Sequence, residues 1–94
     1  MYILPTDYTK LTGKERREVR LQYIEEQNNM CMYCGETLDQ PAPERITSKP
    51  INWKLFPNGF LDYPIHLHHD HNTGMTIGAV HMKCNAYLWQ YKGE

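Results

Sequence analysis

The stretch IHLHHDHNTGMTIGAVHMKC, residues 65–84, decides the fold that this chain is expected to adopt. IHLHHDH has a strand-like pattern, NTG is a turn, and MTIGAV is a second short strand, so the stretch predicts a β-hairpin. A helix is predicted from about His81 through CNAYLWQY, with Ala86, Leu88 and Trp89 available to pack and Gly93 placed to end it. The order strand, strand, helix forms the predicted core, residues 65–91.

Two short turns that contain cysteine frame this core, CMYC at 31–34 and HMKC at 81–84. Each turn offers two ligands separated by two residues, which is the spacing of a zinc knuckle. The pattern predicts one structural Zn²⁺ held by Cys31, Cys34, His81 and Cys84. Four protein ligands leave the ion no open position for chemistry. The alternative is that the cysteines are small buried hydrophobic residues and the histidine lies on the surface at a helix start.

N-terminal to the first knuckle, residues 12–28 (TGKERREVRLQYIEEQN) predict a helix that follows an irregular lead-in. Thr12 and Glu15 can form a capping box. The apolar residues near one side of this helix are Val19 and Tyr23, with Leu11 or Met30, and Leu21 and Ile24 beside them. The opposite face carries charges of both signs, so it is either a solvated surface or a DNA contact.

Residues 39–64 contain five prolines together with Asn58 and Gly59, which are too many helix breakers for a helix. The segment is therefore predicted to be a long irregular loop. Such loops are uncommon in compact domains unless they are functional, so substrate contacts could come from Arg45, Lys49, Lys54 or Trp53. The alternative is a solvated insertion in which Trp53 and Phe56 pack against the core.

Length and composition predict a single small α+β domain over residues 1–94. A chain of 94 residues buries a modest fraction of its surface, so a stabilising metal is expected. Three cysteines cannot all pair, the N-terminus has no signal-peptide pattern, and no apolar stretch reaches about 18 residues. These features predict a soluble, cytoplasmic protein without a membrane partner. The net charge of −1 gives no general attraction to nucleic acid, although a bound divalent ion would add local positive charge.

Four of the five histidines lie within six residues: His66, His68, His69 and His71. Core packing does not explain this clustering. Alternation along a strand would place His69 and His71 on one side and His66, His68 and Asp70 on the other. Imidazole can bind a metal or transfer a proton near neutral pH, so the cluster predicts a reactive site. The helix after the hairpin could bring the amide of Asn85 beside it.

The sequence CMYCG followed by HLHHDHNTGMTIGAVHMKCNAYL resembles the HNH, or ββα-metal, endonucleases, particularly the zinc-clamped branch related to phage endonuclease VII. The resemblance covers residues 30–88, without the loop at 39–64. It implies a small zinc-stabilised ββα-metal fold and a metal-dependent hydrolase that cuts DNA. His68 stands where that branch usually has Asp, which favours a softer ion such as Mn²⁺, Ni²⁺ or Zn²⁺ over Mg²⁺. His81 replaces the commoner fourth cysteine, and Cys₃His is an ordinary zinc set.

The resemblance also implies roles for individual residues. His69 would be the general base, His68 and the amide oxygen of Asn85 would hold one catalytic ion (Mg²⁺, Mn²⁺ or Ni²⁺), and His71 would assist near the phosphate. The expected products are a 5′ phosphate and a 3′ hydroxyl. One active site cuts one strand, so nicking by a monomer is the simplest expectation, and double-strand cleavage would call for a homodimer or two encounters.

A regular strand would point His68 and His69 to opposite faces, although both must reach one phosphate. Some local irregularity is therefore expected, and residues 72–74 (NTG) are suited to provide it. Asp70 could orient a histidine or bind metal, but a solvated or capping role is preferred. His66 is expected to be merely exposed. The competing functions are a non-catalytic zinc-ribbon module that binds nucleic acid or protein, and a zinc-stabilised interaction protein that never contacts nucleic acid.

Overall fold

The computed structural model describes residues 1–93. It contains two strands in one antiparallel sheet and three α-helices, so the α+β class is confirmed. In chain order the elements are α1 (Gly13–Glu26), α2 (Glu44–Thr47), β1 (Ile65–His69), β2 (Thr76–His81) and α3 (Met82–Lys92). Short 3₁₀ turns lie at Tyr8–Lys10, Trp53–Leu55 and Phe60–Asp62. No helix within residues 1–93 has the length and apolar composition needed to cross a membrane.

Helix α1 begins at the predicted capping box. Thr12 Oγ1 accepts a hydrogen bond from the backbone N–H of Glu15 at 3.2 Å, and Glu15 Oε1 accepts one from the N–H of Thr12 at 2.9 Å. These bonds satisfy donors that the first turn of a helix leaves unpaired. The helix ends at Glu26, before the predicted 28, because Asn28 and Asn29 take left-handed φ values of 54° and 62°.

The buried side of α1 consists of Val19 and Tyr23, as predicted. The Tyr23 hydroxyl lies 2.8 Å from Thr76 Oγ1 on β2, which joins the helix to the sheet. Leu11 and Ile24 pack against the core, as expected, and Met30, the alternative to Leu11, is 37% exposed. The expectation for Leu21 is wrong, since it is 56% exposed. Leu21 is two positions from Val19 and therefore projects from the opposite side of the helix, and Met30 lies beyond the turn that ends it.

The predicted hairpin is formed by β1 and β2, with Ile65 opposite His81 at its open end. The pairing shifts near the turn, because His68 is opposite Gly78 but His69 is opposite Thr76. Ile77 is therefore the extra residue of a bulge, which increases the local twist of a strand pair. The expected irregularity therefore falls at the step from His68 to His69 and comes from a residue of β2, not from the turn residues 72–74.

The side chain of Gln27 attaches the end of α1 to the back of the hairpin. Its Oε1 accepts a hydrogen bond from the N–H of Ala79 at 2.9 Å, and its Nε2 donates to the carbonyl of Ala79 at 3.0 Å and to that of Met30 at 2.7 Å. A Cβ added to Gly78 would lie 2.7 Å from this Oε1. Glycine is needed here because the Gln27 amide approaches the backbone of β2 so closely.

Residues 39–64 are mostly irregular, but the prediction that they contain no helix is wrong for α2. Pro43 stands directly before the first turn of α2, where a missing N–H removes no helical hydrogen bond. Ile46 on this helix is 3% exposed and joins the main core cluster. Ala42, just before this helix, belongs to the same cluster, so the first part of the segment is anchored to the core.

Helix α3 starts directly after β2 and ends where predicted. Gly93 takes a left-handed φ of 71°, and its N–H bonds to the carbonyl of Leu88. Cys84, Ala86 and Leu88 are buried. Trp89 was expected to pack but is 43% exposed. The direct junction between β2 and α3 places Cys84 and Asn85 in the first turn of α3, immediately behind the hairpin.

Candidate metal centre and histidine cleft

The four predicted metal ligands form one buried group of Cys31, Cys34, His81 and Cys84. Their ligand atoms all lie within 4.8 Å of one another. Nδ1 of His81 is 3.3 Å from Sγ of Cys34 and 3.6 Å from Sγ of Cys84. Sulfur and nitrogen ligands of a tetrahedral ion, with bonds of about 2.3 and 2.0 Å, stand about 3.5 Å apart. The group could therefore hold one metal ion.

Backbone contacts orient these ligands. Nε2 of His81 donates a hydrogen bond to the carbonyl of Thr37 at 2.8 Å, which leaves Nδ1 directed at the cysteines. In the first knuckle, the backbone N–H of Cys34 approaches Sγ of Cys31 at 3.5 Å, and that of Glu36 approaches Sγ of Cys34 at 3.5 Å. N–H donors directed at sulfur stabilise thiolates, the form that binds metal.

The three thiols compete for protons. The hydrogen bond with Cys84 is the main cause that lowers the pKa of Cys31 to about 4. The same bond is the main cause that raises the pKa of Cys84, and burial is the main cause that raises the pKa of Cys34. Protein groups alone thus favour one thiolate among three. A divalent cation at the centre would allow the other thiols to ionise as well.

The second cluster is a chain of hydrogen bonds through Asn85. Its Oδ1 lies 3.2 Å from Nδ1 of His68, and its Nδ2 donates to Nδ1 of His66 at 3.1 Å. Nε2 of His66 donates in turn to the carbonyl of Phe60 at 3.0 Å. The structure therefore brings His68 and Asn85 together, as the sequence predicted. The prediction that His66 is merely exposed is wrong, because its ring is half-buried and directly contacts Asn85.

His69 lies beside these hydrogen-bonded side chains, and an aromatic side chain holds its ring. The ring of Tyr8 stacks on it at 3.9 Å between centroids with 7° between the planes. Burial is the main cause that holds the pKa of His69 below its ordinary value, and positive charge on nearby side chains acts in the same direction. A hydrogen bond with the backbone of Leu67 opposes this shift. The imidazole is therefore mainly neutral near pH 7, so it can accept a proton.

The remaining polar residues of the 66–71 stretch lie toward the turn. The ring of His71 is 4.8 Å from the ring of His69 and 4.8 Å from that of Trp89 on α3. Oδ1 of Asp70 accepts hydrogen bonds from the backbone N–H groups of Asn72 at 2.7 Å and Thr73 at 2.9 Å. Asp70 thus caps the hairpin turn, which is one of the roles that the sequence favoured.

A cleft of about 440 Å³ opens beside His66, His69 and Asn85. Its other lining residues come from the lead-in, helix α1, the end of the 39–64 loop and β1. The charged residues in this lining are Arg16, Arg17 and Arg20, and none of the lining residues is acidic. Regular alternation would separate His68 from His69, but here His69 reaches the cleft directly and His68 contacts it through Asn85.

The basic residues predicted in the 39–64 loop lie elsewhere. The guanidinium of Arg45 donates a hydrogen bond to the carbonyl of Cys34 at 2.7 Å and so braces the first knuckle. Lys49 and Lys54 are exposed and do not line the cleft. Trp53 and Phe56 form a row of aromatic rings that continues through Phe60, with Phe60 4.5 Å from the ring of His66. The loop therefore contacts the histidine cluster through Phe60.

Sequence reasoning missed Tyr8, the three arginines of the cleft and the contact of His66. The lead-in gives no local signal for Tyr8, which reaches His69 because the N–H of Tyr8 bonds to the carbonyl of Gly74 at 2.8 Å. The spacing of Arg16 and Arg20 does place them on one side of a helix. No protein-family model, no curated protein and no solved structure matches this chain.

Proposed function

We propose that this protein is a metal-dependent endonuclease of the HNH type, with a ββα-metal fold, that hydrolyses phosphodiester bonds of DNA one strand at a time. The observation that carries the proposal is the approach of Asn85 Oδ1 to His68 Nδ1 at 3.2 Å, on the cleft that His69 lines. An amide oxygen, a ligating imidazole and a neutral histidine are the groups that the resemblance assigns to metal binding and proton transfer.

The Cys₃His group is proposed to bind a structural Zn²⁺. Cysteine and histidine are the ligands that zinc prefers, and the ligand atoms of Cys34, His81 and Cys84 lie at separations that suit a tetrahedral ion. All four ligands come from the protein and are buried, so no position is open to substrate. The ion would clamp the first knuckle to the junction of β2 and α3 and thereby hold Asn85 behind the hairpin.

The donor atoms of His68 and Asn85 suit a shared divalent ion. In the structure the two atoms share a hydrogen bond of 3.2 Å, and a divalent ion held by both would take the place of the shared proton. When bound, such an ion would stabilise negative charge on the phosphate and on the leaving 3′ oxygen. His68 replaces the usual carboxylate with imidazole, which favours Mn²⁺ or Ni²⁺ over Mg²⁺.

His69 is the proposed general base. It takes a proton from the attacking water, and Tyr8 and the backbone of Leu67 hold its ring in place. The lowered pKa keeps the base neutral at physiological pH. His71, 4.8 Å away between ring centroids, is placed to assist near the phosphate.

A non-catalytic zinc-ribbon module is the second candidate function. One observation favours it: His68 is 4% exposed, so it could serve the fold alone. The two functions differ in what they require of Asn85. A nuclease needs its amide oxygen for activity, whereas a binding module needs at most its contribution to stability.

A labelled DNA duplex incubated with zinc-retaining protein and added Mn²⁺, Ni²⁺ or Mg²⁺ tests the proposal. We expect cleavage that leaves a 5′ phosphate and a 3′ hydroxyl, with a large loss of rate in Asn85→Ala. Lys92→Ala, on the last turn of the same helix, is the matched control and should cut normally. No cleavage with any ion, or equal cleavage by Asn85→Ala, would leave the binding module as the better account.

A further inference from the structure

The charges of helix α1 are divided between two sides, although the chain as a whole has a net charge of −1. Arg16, Arg17 and Arg20 line the cleft. Three of the four acidic side chains of the same helix bond to partners outside that lining, and the fourth, Glu25, is not part of the lining. Glu18 Oε1 accepts a hydrogen bond from the Tyr2 hydroxyl at 2.6 Å, and other examples are Glu15 with Thr12 and Glu26 with Gln22. The cleft is therefore locally positive.

Two of the cleft arginines are held in place by aromatic groups. Nε and an Nη of Arg16 donate to the carbonyl of Tyr8 at 3.3 and 3.2 Å, and the guanidinium lies 3.8 Å from the centroid of the Tyr8 ring. The guanidinium of Arg20 lies over the ring of Tyr63 at 5.8 Å. An arginine has five N–H donors, so these contacts leave donors on Arg16 for a ligand. Ordering the arginines in advance lowers the entropic cost of binding an anion.

We propose that this cleft binds the phosphodiester backbone of a nucleic-acid strand. The arginines of α1 contact phosphates next to the phosphodiester bond that is hydrolysed beside His69. The inference rests on the proposed function and names the surface that holds its substrate. Charge complementarity and continuity with His69 and Asn85 argue for this occupant. Guanidinium groups bind phosphate oxygens through paired N–H donors, and such contacts position nucleic acid without reading its sequence.

The test measures DNA binding rather than cleavage, using the His69→Ala protein with zinc retained and no other divalent ion added. Fluorescence anisotropy of a labelled oligonucleotide is recorded across a salt series. In this background, Arg17→Gln and Arg20→Gln should each weaken binding and reduce the slope of log K against log salt by about 0.7 to 0.9, the effect of one lost phosphate contact. Lys14→Gln removes the same charge from the same helix outside the cleft lining, and it should leave the slope nearly unchanged.

Polyglutamate provides the second arm, because an acidic protein is the other polyanion that three arginines could attract. The proposal requires that polyglutamate compete poorly with DNA. Equal slopes for the arginine variants and Lys14→Gln would overturn it, as would equal competition by polyglutamate. Arginine-dependent binding without cleavage by the wild type would support the surface and contradict the nuclease, so the two failures are distinguishable.

A separate observation, the hydrogen-bond chain through Asn85, carries a second inference. Nε2 of His66 donates to the carbonyl of Phe60, so Nδ1 is left as an acceptor, and Asn85 Nδ2 donates to it at 3.1 Å. This bond determines which end of the Asn85 amide points to His68. We infer that His66 is a positioning residue that holds the amide oxygen of Asn85 toward the catalytic ion. The inference also rests on the proposed function.

Mn²⁺ binding, measured by electron paramagnetic resonance in the His69→Ala background, tests this role without activity. His66→Leu removes the acceptor and should weaken Mn²⁺ binding by about ten- to a hundredfold, the usual effect of losing a group that orients a metal ligand. His66→Asn places an amide oxygen near the lost Nδ1 and should restore much of the affinity. Melting temperatures of both variants separate this effect from loss of folding.

A second readout follows the Asn85 side-chain amide by NMR. In the parent protein its two hydrogens should exchange slowly with each other, and His66→Leu should accelerate that exchange. Unchanged Mn²⁺ affinity and unchanged amide exchange in His66→Leu would overturn the inference. Failure of the parent to bind Mn²⁺ would contradict both the proposed function and the role of His66.

Discussion

The two ends of the hairpin carry different kinds of polar cluster. At the open end, Cys31, Cys34, His81 and Cys84 are each at most 8% exposed and direct their ligand atoms at one another. Nearer the turn, the histidines of the 66–71 stretch and Asn85 direct polar atoms partly at one another and partly at a cleft. The first cluster is closed by protein, and the second has space for a ligand.

The closed cluster is suited to stabilise the fold, and the open cluster is suited to bind a reactant. A metal group with four protein ligands can hold a small fold together but has no position for a reactant. A cluster that borders a cleft can receive one. The clusters are also linked through the first turn of α3, where Cys84 belongs to the closed cluster and the next residue, Asn85, belongs to the open one. The closed cluster thus positions part of the open one.

Loss of a ligand from the closed cluster is expected to have the largest effect. Cys34→Ser should leave the chain largely unfolded, because the free energy of binding structural zinc is on the order of 10 kcal/mol and exceeds the expected stability of a small domain. Zinc content and far-UV circular dichroism measure the loss. Glu36→Ser, an exposed position in the same knuckle, is the control. A folded, metal-free Cys34→Ser protein would show that the closed cluster is not what stabilises the fold.

Loss of a residue from the open cluster should affect activity and spare the fold. His69→Ala is expected to lower the rate of DNA cleavage by about 10²- to 10⁴-fold, the usual contribution of a general base. Zinc content should be unchanged and the melting temperature should remain close to that of the wild type. Asn72→Ala, exposed in the following turn, serves as the control. A His69→Ala protein that cuts at the normal rate would remove His69 as the base.

Gly78 lies on β2 opposite His68, and Gly78→Ala tests how tightly α1 is attached to the hairpin there. The new Cβ would meet Gln27 Oε1 at 2.7 Å, so the variant should lose about 1–3 kcal/mol of folding free energy. Gly13→Ala is the matched control, since nothing lies within 4 Å of its Cβ and alanine favours the helix. Urea unfolding measures both. Equal stability of Gly78→Ala and wild type would show that the Gln27 contact is loose.

The smallest expected effect belongs to the turn beside the open cluster. Hydrogen bonds from the backbone of Thr73 and then Asn72 lower the pKa of Asp70 below 3.8, so its stabilising contribution requires the ionised form. Asp70→Ala should lower the melting temperature slightly at pH 7. The difference from wild type should disappear as the pH falls through the lowered pKa. Asp39→Ala, an exposed carboxylate in the loop, should show no such difference. A difference that does not shrink as the pH is lowered would contradict the capping role.

Features that depend on neighbours in the sequence could be predicted. The capping box needs only Thr12 and Glu15 three residues apart, and each knuckle needs two ligands two residues apart. Hydrophobic patterning and turn residues placed the hairpin and α3 for the same reason. The metal-binding group could be predicted from the two knuckles, because both carry ligands that zinc prefers and four such ligands complete one site.

Features that depend on packing between distant segments could not be predicted. Tyr8 stacks on His69 only because the lead-in pairs with the hairpin turn, and His66 meets Asn85 only through the angle between β1 and α3. The bulge at Ile77 is defined by how the two strands pair, which neither strand's own sequence specifies. The positive cleft was hidden in the same way, since the net charge of the chain sums over residues that the fold separates.

The most direct test of the nuclease claim is a plasmid assay on wild-type and His69→Ala proteins purified side by side. Both proteins are freed of loosely bound ions, keep their zinc, and receive supercoiled plasmid with Mg²⁺, Mn²⁺ or Ni²⁺. We expect the wild type alone to convert the plasmid to the nicked form, and only when a divalent ion is added. Intact plasmid under every condition, or equal nicking by both proteins, would contradict this expectation.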